Sequence, residues 1–426
     1  MKTAYINGII LDGNENMIPI DGKTIIFEDK KIAAVINAEN ADLSYCKVID
    51  LKGQYVLPGL INLHVHLPGS GKPAKKQVNI GLICKILTSC ALGRAVAKGM
   101  IAGSAKTALM AGITTVRTVG SVADFDSQVR DDIKKGKRTG PRILSSDCAI
   151  SVPGGHMAGS FAYVAESKDH AASLVDKIAK GKPDLIKLMI TGGVLDADEH
   201  GPGALRMNAD YVKAACDRAH ELGYKVAAHC EGTEGVRVAL ENGVDSIEHG
   251  AMPDDDIISL FKEKNACQVL TITPAIPYSL ALPNIMNLAD ESINNSNIVM
   301  NGMIELAKEN LKAGVPVGLG TDSSCSYATQ YDMWRELTYF AKYCGVSNSF
   351  ALHTATMVNA EIAGISDKTG SIEEGKYADM IIVEKNPLDD LSALRNVKMV
   401  IFEGKLYDHP EVKKFEEVEK VLDEAL

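Results

Sequence analysis

No run in the 426-residue chain approaches the ~18 consecutive apolar residues that a membrane span needs, and the opening Met1-Lys2-Thr3-Ala4-Tyr5-Ile6-Asn7-Gly8 contains no continuous apolar leader core. A cytoplasmic protein with no membrane partner is therefore expected. A basic surface is also missing: 45 Lys and Arg against 55 Asp and Glu leave a net charge of -10 and a pI near 5.6, which gives no field to attract nucleic acid. The nine cysteines are odd in number and include no Cys-x-x-Cys pair, which argues for free thiols in a reducing compartment and against a disulfide framework. No Gly-x-Gly-x-x-Gly follows a strand-like run and no P-loop is present, so a nucleotide-binding open sheet loses its usual signatures. There is neither a low-complexity segment nor a short repeat. What is present is a balanced composition, 46% hydrophobic with mean hydropathy near zero, in a chain long enough for one large domain and a smaller one. Substrates should be small molecules or peptides.

The two ends share a β-rich texture. Tyr5 to Gly13 reads as a hairpin around Asn7-Gly8, and Thr24 to Ile36 as a second one. Similar runs return at Ala378 to Val383 and Val397 to Lys405, so both termini are expected to join in one small β-sandwich. Between them, eight short apolar runs alternate with helical stretches: Val56 to Leu63, Ile113 to Val119, Arg142 to Ser146, Leu185 to Ile190, Lys225 to Ala228, Ser246 to Glu248, Gln268 to Ile272 and Val317 to Gly320. Eight βα units over roughly 300 residues fit a closed (β/α)8 barrel. The expected fold is α/β, a TIM barrel over 58–368 with a composite sandwich from 1–57 and 369–409. Residues 410–426 read as an exposed amphipathic helix.

Ligand-type residues sit at the ends of these runs. His64 and His66 are two apart on a strand, so both rings point to one side of the sheet. His229 ends the fifth run, His249 the sixth, and Asp322 the eighth, while Lys187 lies inside the fourth. The C-terminal ends of barrel strands converge on one mouth, and imidazoles with a carboxylate suit zinc and related ions. A buried lysine is costly when charged, and pairing with an acid or snorkelling to the surface would be the ordinary explanation of Lys187 alone.

Several motifs carry a wider resemblance: Pro58-Gly59-Leu60-Ile61-Asn62-Leu63-His64-Val65-His66, Gly112 to Arg117, Pro153-Gly154-Gly155-His156, Ile186-Lys187 with Thr191-Gly192-Gly193-Val194, the two single histidines, Gly320-Thr321-Asp322, and Gly370 to Asp379. In order and spacing the chain resembles the metal-dependent amidohydrolase superfamily, within it the group of Xaa-Pro dipeptidase (prolidase-like) and imidazolonepropionase-like proteins. The resemblance implies two divalent metal ions, most simply zinc, with Lys187 carboxylated on its nitrogen as a bridge. His64, His66 and Asp322 would hold one ion, and His229 and His249 the other. It further implies hydrolysis of the amide of a dipeptide or N-acyl amino acid, with Asp322 passing a proton from the attacking water to the leaving nitrogen. A cyclic amide or imidazolone hydrolase, or a deaminase, is the alternative on the same scaffold, and a homo-oligomer is expected.

Weaker signals surround this set. The resemblance makes His156 a catalytic, substrate-contacting residue, and Arg206 could pair with a substrate carboxylate. Cys230 stands where several relatives carry an aromatic residue near the substrate, which leaves the substrate open. A free carboxylate beside the scissile bond is expected to help modestly. Glu248 could orient a ligand, and Lys72, Lys75 and Lys76 mark a segment, 67–86, that could form a lid.

Overall fold

The computed structural model describes residues 2–73, 79–194, 202–279 and 290–426. The chain forms two compact units, one made of Met1–Leu63, Lys106–Val116 and Tyr331–Lys413, the other of His64–Ala105, Arg117–Gln330 and Lys414–Leu426.

In the first unit the two chain ends do pair. Strand Met380–Val383 runs antiparallel to Tyr55–Pro58 in a five-stranded sheet, and a four-stranded sheet is built from the N-terminal residues alone. Tyr5, Ile25, Phe27, Ile32, Val56, Met380, Ile382 and Ile401 fill one shared apolar core, the sandwich expected from period-2 burial on two facing sheets. The hairpin at Thr24 to Ile36 forms, as Lys23–Glu28 against Lys31–Asn37. The one at Asn7-Gly8 does not. Lys2–Ile6 pairs with Lys23–Glu28 and Cys46–Asp50, whereas Ile9–Ile10 joins the other sheet beside Tyr55–Pro58. Asn7, in the left-handed region at φ 55°, turns the chain from one sheet to the other, which a two-residue turn signal does not distinguish from a hairpin.

The barrel strands are β1 (Leu60–Val65), β2 (Ile113–Thr118), β3 (Arg142–Ser145, resuming at Ala149–Ser151), β4 (Leu185–Met189), β5 (Lys225–Cys230), β6 (Ser246–His249), β7 (Cys267–Leu270) and β8 (Val317–Leu319). The apolar run Val56 to Leu63 is thus two strands, since Gly59 separates a sandwich strand from β1. Strands β4 to β8 are parallel neighbours in sequence order. The ring closes where the N–H groups of Thr321 and Asp322, just after β8, donate to the His64 carbonyl at 3.2 and 2.9 Å. Only glycine fits beside this closure at position 320, because a Cβ there would lie 2.3 Å from the His64 Cβ. Strands buried on both faces read as continuous apolar runs, which is why they were visible in the sequence.

After β1 the chain forms α1 (Ile80–Ser89) and α2 (Ala91–Met110). Lys75 and Lys76 lie outside the described residues, while Lys72 makes a surface ion pair with Glu417 at 3.3 Å. The C-terminal segment is helical only over Glu416–Asp423, and it is not simply exposed: Val418, Val421 and Leu422 are buried against Tyr327. Its charges occupy the wet side of an amphipathic stripe.

Candidate active site

His64, His66, Lys187, His229, His249 and Asp322 all line one cavity of ≈ 450 Å³, a size suited to a small molecule. The backbone helps to aim two of them. His249 (φ 68°) and Asp322 (φ 48°) both leave their strands in the left-handed region, which non-glycine residues adopt at a cost and hold only where the surroundings impose it.

Partners behind the rings determine which nitrogens face the cavity. The carbonyl of Gly120 can only accept, so His66 Nδ1–H donates to it at 2.8 Å and Nε2 is left with a lone pair. His64 Nδ1–H likewise donates to Glu248 Oε2 at 2.8 Å. Both Nε2 atoms then face Asp322 Oδ1, at 3.4 Å from His64 and 3.2 Å from His66. Acceptors converging in this way call for a cation between them. Burial pulls His229 and His249 well below the usual imidazole range, helped by the neighbouring His156 for the first and His64 for the second, so both are neutral, the ligating form. His229 Nε2 lies 3.4 Å from the Gly192 carbonyl and its ring stacks on His156 at 4.3 Å, while His249 Nδ1 meets Thr271 Oγ1 at 2.8 Å.

Lys187 is fully buried, and its Nζ has no hydrogen-bond partner. Burial pulls its ammonium down to about 8, and Arg117 adds to the effect while Glu248 opposes it. Asp322 is driven the other way: burial raises it, but His64 and His66 outweigh that and hold it ionised well below the usual carboxylate range. One group of ligand atoms that could hold a metal ion is His64, His249 and Asp322; a second is His229, Glu231 and His249.

Behind His64, Glu248 accepts from Arg117 at 2.6 Å and from Ser246 at 2.8 Å. Burial raises this carboxyl, yet the Arg117 charge and the His64 hydrogen bond hold it well below the ordinary range. Arg117 was read only as part of a strand motif, although a charged residue inside the buried run Ile113 to Val119 was itself a signal. Glu231 was missed. It stands two residues after His229, on the same side by strand alternation, and lines the cavity. Cys230, expected to bind substrate from its position after His229, points the other way: it is fully buried in the apolar core with Ile186, Val226 and Ile247. Arg206 is half-buried and is not among the described residues that line the cavity, whereas His156 is. The rest of the wall is mainly apolar, including Val119, Phe161, Met189, Tyr278 and Val299.

A parallel barrel whose mouth gathers four imidazoles, a carboxylate and a buried lysine defines a metal-dependent hydrolase scaffold. Residues 55–407 match the amidohydrolase family, and the chain belongs to it. It is 34% identical to a Bifidobacterium longum protein provisionally named a prolidase, with a TM-score of 0.87 and coverage of 100% of this chain and 98% of that one. A Xaa-Pro dipeptidase solved with methionine in its active site is 29% identical, with a TM-score of 0.83, over 96% of this chain and all (100%) of that one. Ochratoxinase of Aspergillus niger is 26% identical over 439 residues, 96% of this chain and 87% of that protein. A 5-methylthioadenosine/S-adenosylhomocysteine deaminase of Bacillus cereus is 25% identical over 417 residues, 90% of this chain and 86% of that protein. The protein is an enzyme acting on carbon–nitrogen bonds.

Proposed function

We propose that this enzyme is a binuclear metallohydrolase that cleaves the amide bond of a dipeptide or N-acyl amino acid. The observation that carries the reading is Lys187, a fully buried amine without a hydrogen-bond partner, lining the same cavity as both histidine pairs and Asp322. A lysine there makes physical sense as a carbamate, because the neutral amine then becomes an anion between two cations. His64, His66 and Asp322 would hold one ion, His229 and His249 the other, with the carboxylated Lys187 shared. Zinc fits the donor set of imidazole nitrogens and carboxylate oxygens. A bound metal pair would polarise the scissile carbonyl and make water acidic enough to attack near neutral pH.

The chain's own residues do the remaining work. Glu248 and Gly120 O fix the tautomers of His64 and His66. Asp322, held ionised, takes the proton of the attacking water on a carboxylate oxygen and returns it to the leaving nitrogen, so that amide plus water yields carboxylic acid plus amine. The apolar wall excludes bulk water and receives the substrate side chain. His156, stacked on His229, stands beside the bound substrate.

A screen of dipeptide and N-acyl-amino-acid libraries, run with and without a chelator, tests the reading. Chelator-sensitive release of free amino acid from members of these libraries is expected. Hydrolysis confined to cyclic amides, or deamination of a heterocycle, would transfer the assignment to the alternative chemistry on this scaffold. The described lining carries Glu231 and no arginine, so His156 and the proposed metal pair would have to supply any attraction for a substrate carboxylate. Equal kcat/KM for matched acids and C-terminal amides would support a neutral amide, whereas each charge-assisted contact to a carboxylate would favour the acid by roughly one to two powers of ten, from ~1.5–3 kcal/mol.

A further inference from the structure

Glu231 is the one acid among the described lining residues to which the proposed hydrolysis gives no part. The other, Asp322, turns Oδ1 to His64 and His66 and accepts from the Cys325 thiol on Oδ2 at 3.5 Å. Lys187 is the only lysine among those residues, and there is no arginine. Glu231 thus adds a negative charge to a mainly apolar wall, where low polarity strengthens its attraction for a cation.

Its backbone is clamped. The Glu231 N–H donates to Thr191 Oγ1 at 3.0 Å. Gly203, in the loop after β4 at φ 75°, passes directly against the Glu231 carbonyl, since a Cβ at 203 would lie 2.3 Å from that oxygen. The side chain therefore starts from a fixed point. Cys230 is level with His249 in the register of β5 and β6, so Glu231 stands one residue further toward the mouth than either His229 or His249. Strand alternation turns it to the side of His229, and its carboxylate comes within 4.8 Å of the ligand atoms of both imidazoles. A group lying over that histidine pair is within its reach.

We infer, taking the amide hydrolysis proposed above as given, that Glu231 binds the free α-ammonium of the substrate, so that the enzyme acts on dipeptides in preference to N-acyl amino acids. Ring order gives the direction. The end of β8 contacts His64, at the end of β1, while β5 lies across an eight-stranded ring from β1. Asp322 and Glu231 therefore flank the cavity from different sides. With the leaving nitrogen turned to Asp322, as return of the proton requires, the acyl half points toward Glu231. In an amino-acyl group the amine nitrogen is two bonds from the carbonyl carbon, about 2.5 Å, so it stays beside the reacting centre. An N-acyl amino acid carries hydrogen or carbon at that place and would set the carboxylate against an apolar group. A charge-assisted hydrogen bond of this kind changes binding by about 10- to 100-fold.

Matched pairs offered to the metal-loaded enzyme test the assignment. L-leucyl-L-alanine should exceed isocaproyl-L-alanine, which lacks only the amine, by about 10- to 100-fold in kcat/KM. L-leucine hydroxamate should likewise bind more tightly than isocaprohydroxamate in calorimetry. Glu231→Gln should remove most of both preferences by weakening the amine forms, with the metal content of the wild type, and Glu231→Asp, which keeps the charge, should retain part of them. Equal cleavage of the two amides with equal binding of the two hydroxamates would overturn the ammonium site and leave amide hydrolysis standing. No cleavage of either amide, with the hydroxamate preference intact and dependent on Glu231, would overturn amide hydrolysis and leave the ammonium site standing. Loss of a metal ion from Glu231→Gln would make this carboxylate a ligand instead and would also overturn it.

Discussion

Replacing Glu248 with glutamine should damage the site without touching a proposed metal ligand, and the hydrogen bonds say how. The carboxylate accepts on both sides, from His64 Nδ1 through one oxygen and from Arg117 and Ser246 through the other. Glutamine offers one oxygen and one NH2 in the same space. With the oxygen toward Arg117, the NH2 faces His64 Nδ1 and drives the ring to the other tautomer, so that Nε2 carries a proton where a lone pair would meet the proposed metal. With the oxygen toward His64, two donors face each other and Arg117 is left as a buried cation without its counter-charge, a defect that costs about 3–5 kcal/mol. Second-layer losses of this type lower metal affinity or activity by about 10- to 100-fold. Metal content after dialysis against a buffered metal series measures the first effect, and thermal unfolding of the metal-free protein the second. The pH dependence adds an independent check. The folded carboxyl is held below its unfolded value of about 4.3, so its stabilisation is fully present above that pH and is lost as the pH falls toward the folded value. The variant should lack this acid limb. Affinity within a factor of about two of the wild type, with the same melting profile, would refute the tautomer argument.

Three further outcomes follow from the same site. Lys187→Ala should remove at least one metal per chain and most activity; two metals with near-normal turnover by elemental analysis and assay would exclude the carbamate bridge. Asp322→Asn keeps the size and removes the basicity, so metal should partly remain while the catalytic step falls by roughly 10²–10⁴, and an unchanged kcat would rule out the proton transfer. Carboxylation needs the neutral amine, and Lys187 loses its proton near 8, so recovery of metal-free protein supplied with bicarbonate and metal should accelerate as pH rises toward about 8 and then level off. A flat recovery profile across that range would count against a carbamate formed from this amine.

The barrel was legible because its strands are buried on both faces and stand out as apolar runs, and its ligand-type residues because they end those runs. The sandwich was legible in outline only. Asn7-Gly8 carries a turn signal that serves a hairpin or a change of sheet equally well, and the choice is made by distant partners, Lys23–Glu28 and Tyr55–Pro58. The break between α1 and α2 was hidden because the apolar spacing runs through Cys90 almost unchanged. Around the cavity, residue type proved a poorer guide than alternation. Cys230 adjoins His229 in sequence but faces the core, while Glu231, one residue further, lies on the ligand side. Arg206 has the right charge for a substrate carboxylate, but no local pattern records whether a loop arginine reaches the cavity.

The costs in this fold are concentrated where the chemistry is proposed. Lys187 and Glu248 are fully buried charge-bearing groups, with Arg117 nearly so, and His249 and Asp322 hold left-handed backbone. None of the three buried charged side chains helps a barrel to close. An apolar β4 without Lys187 would bury more favourably, and strand ends without left-handed residues would carry less strain. Such departures persist where function requires them, and here they converge: Lys187 faces the cavity, Glu248 steadies the ring of His64, Arg117 steadies Glu248, and the two strained residues belong to a group that could hold a metal ion. Arg335 offers the contrast, since it is also fully buried but pairs with Asp332, the residue that precedes its own helix, and is not among the residues that line the cavity. Burial of charge alone therefore does not mark this site. The mark is a set of buried charges whose partners lead, one after another, to the same group of converging lone pairs.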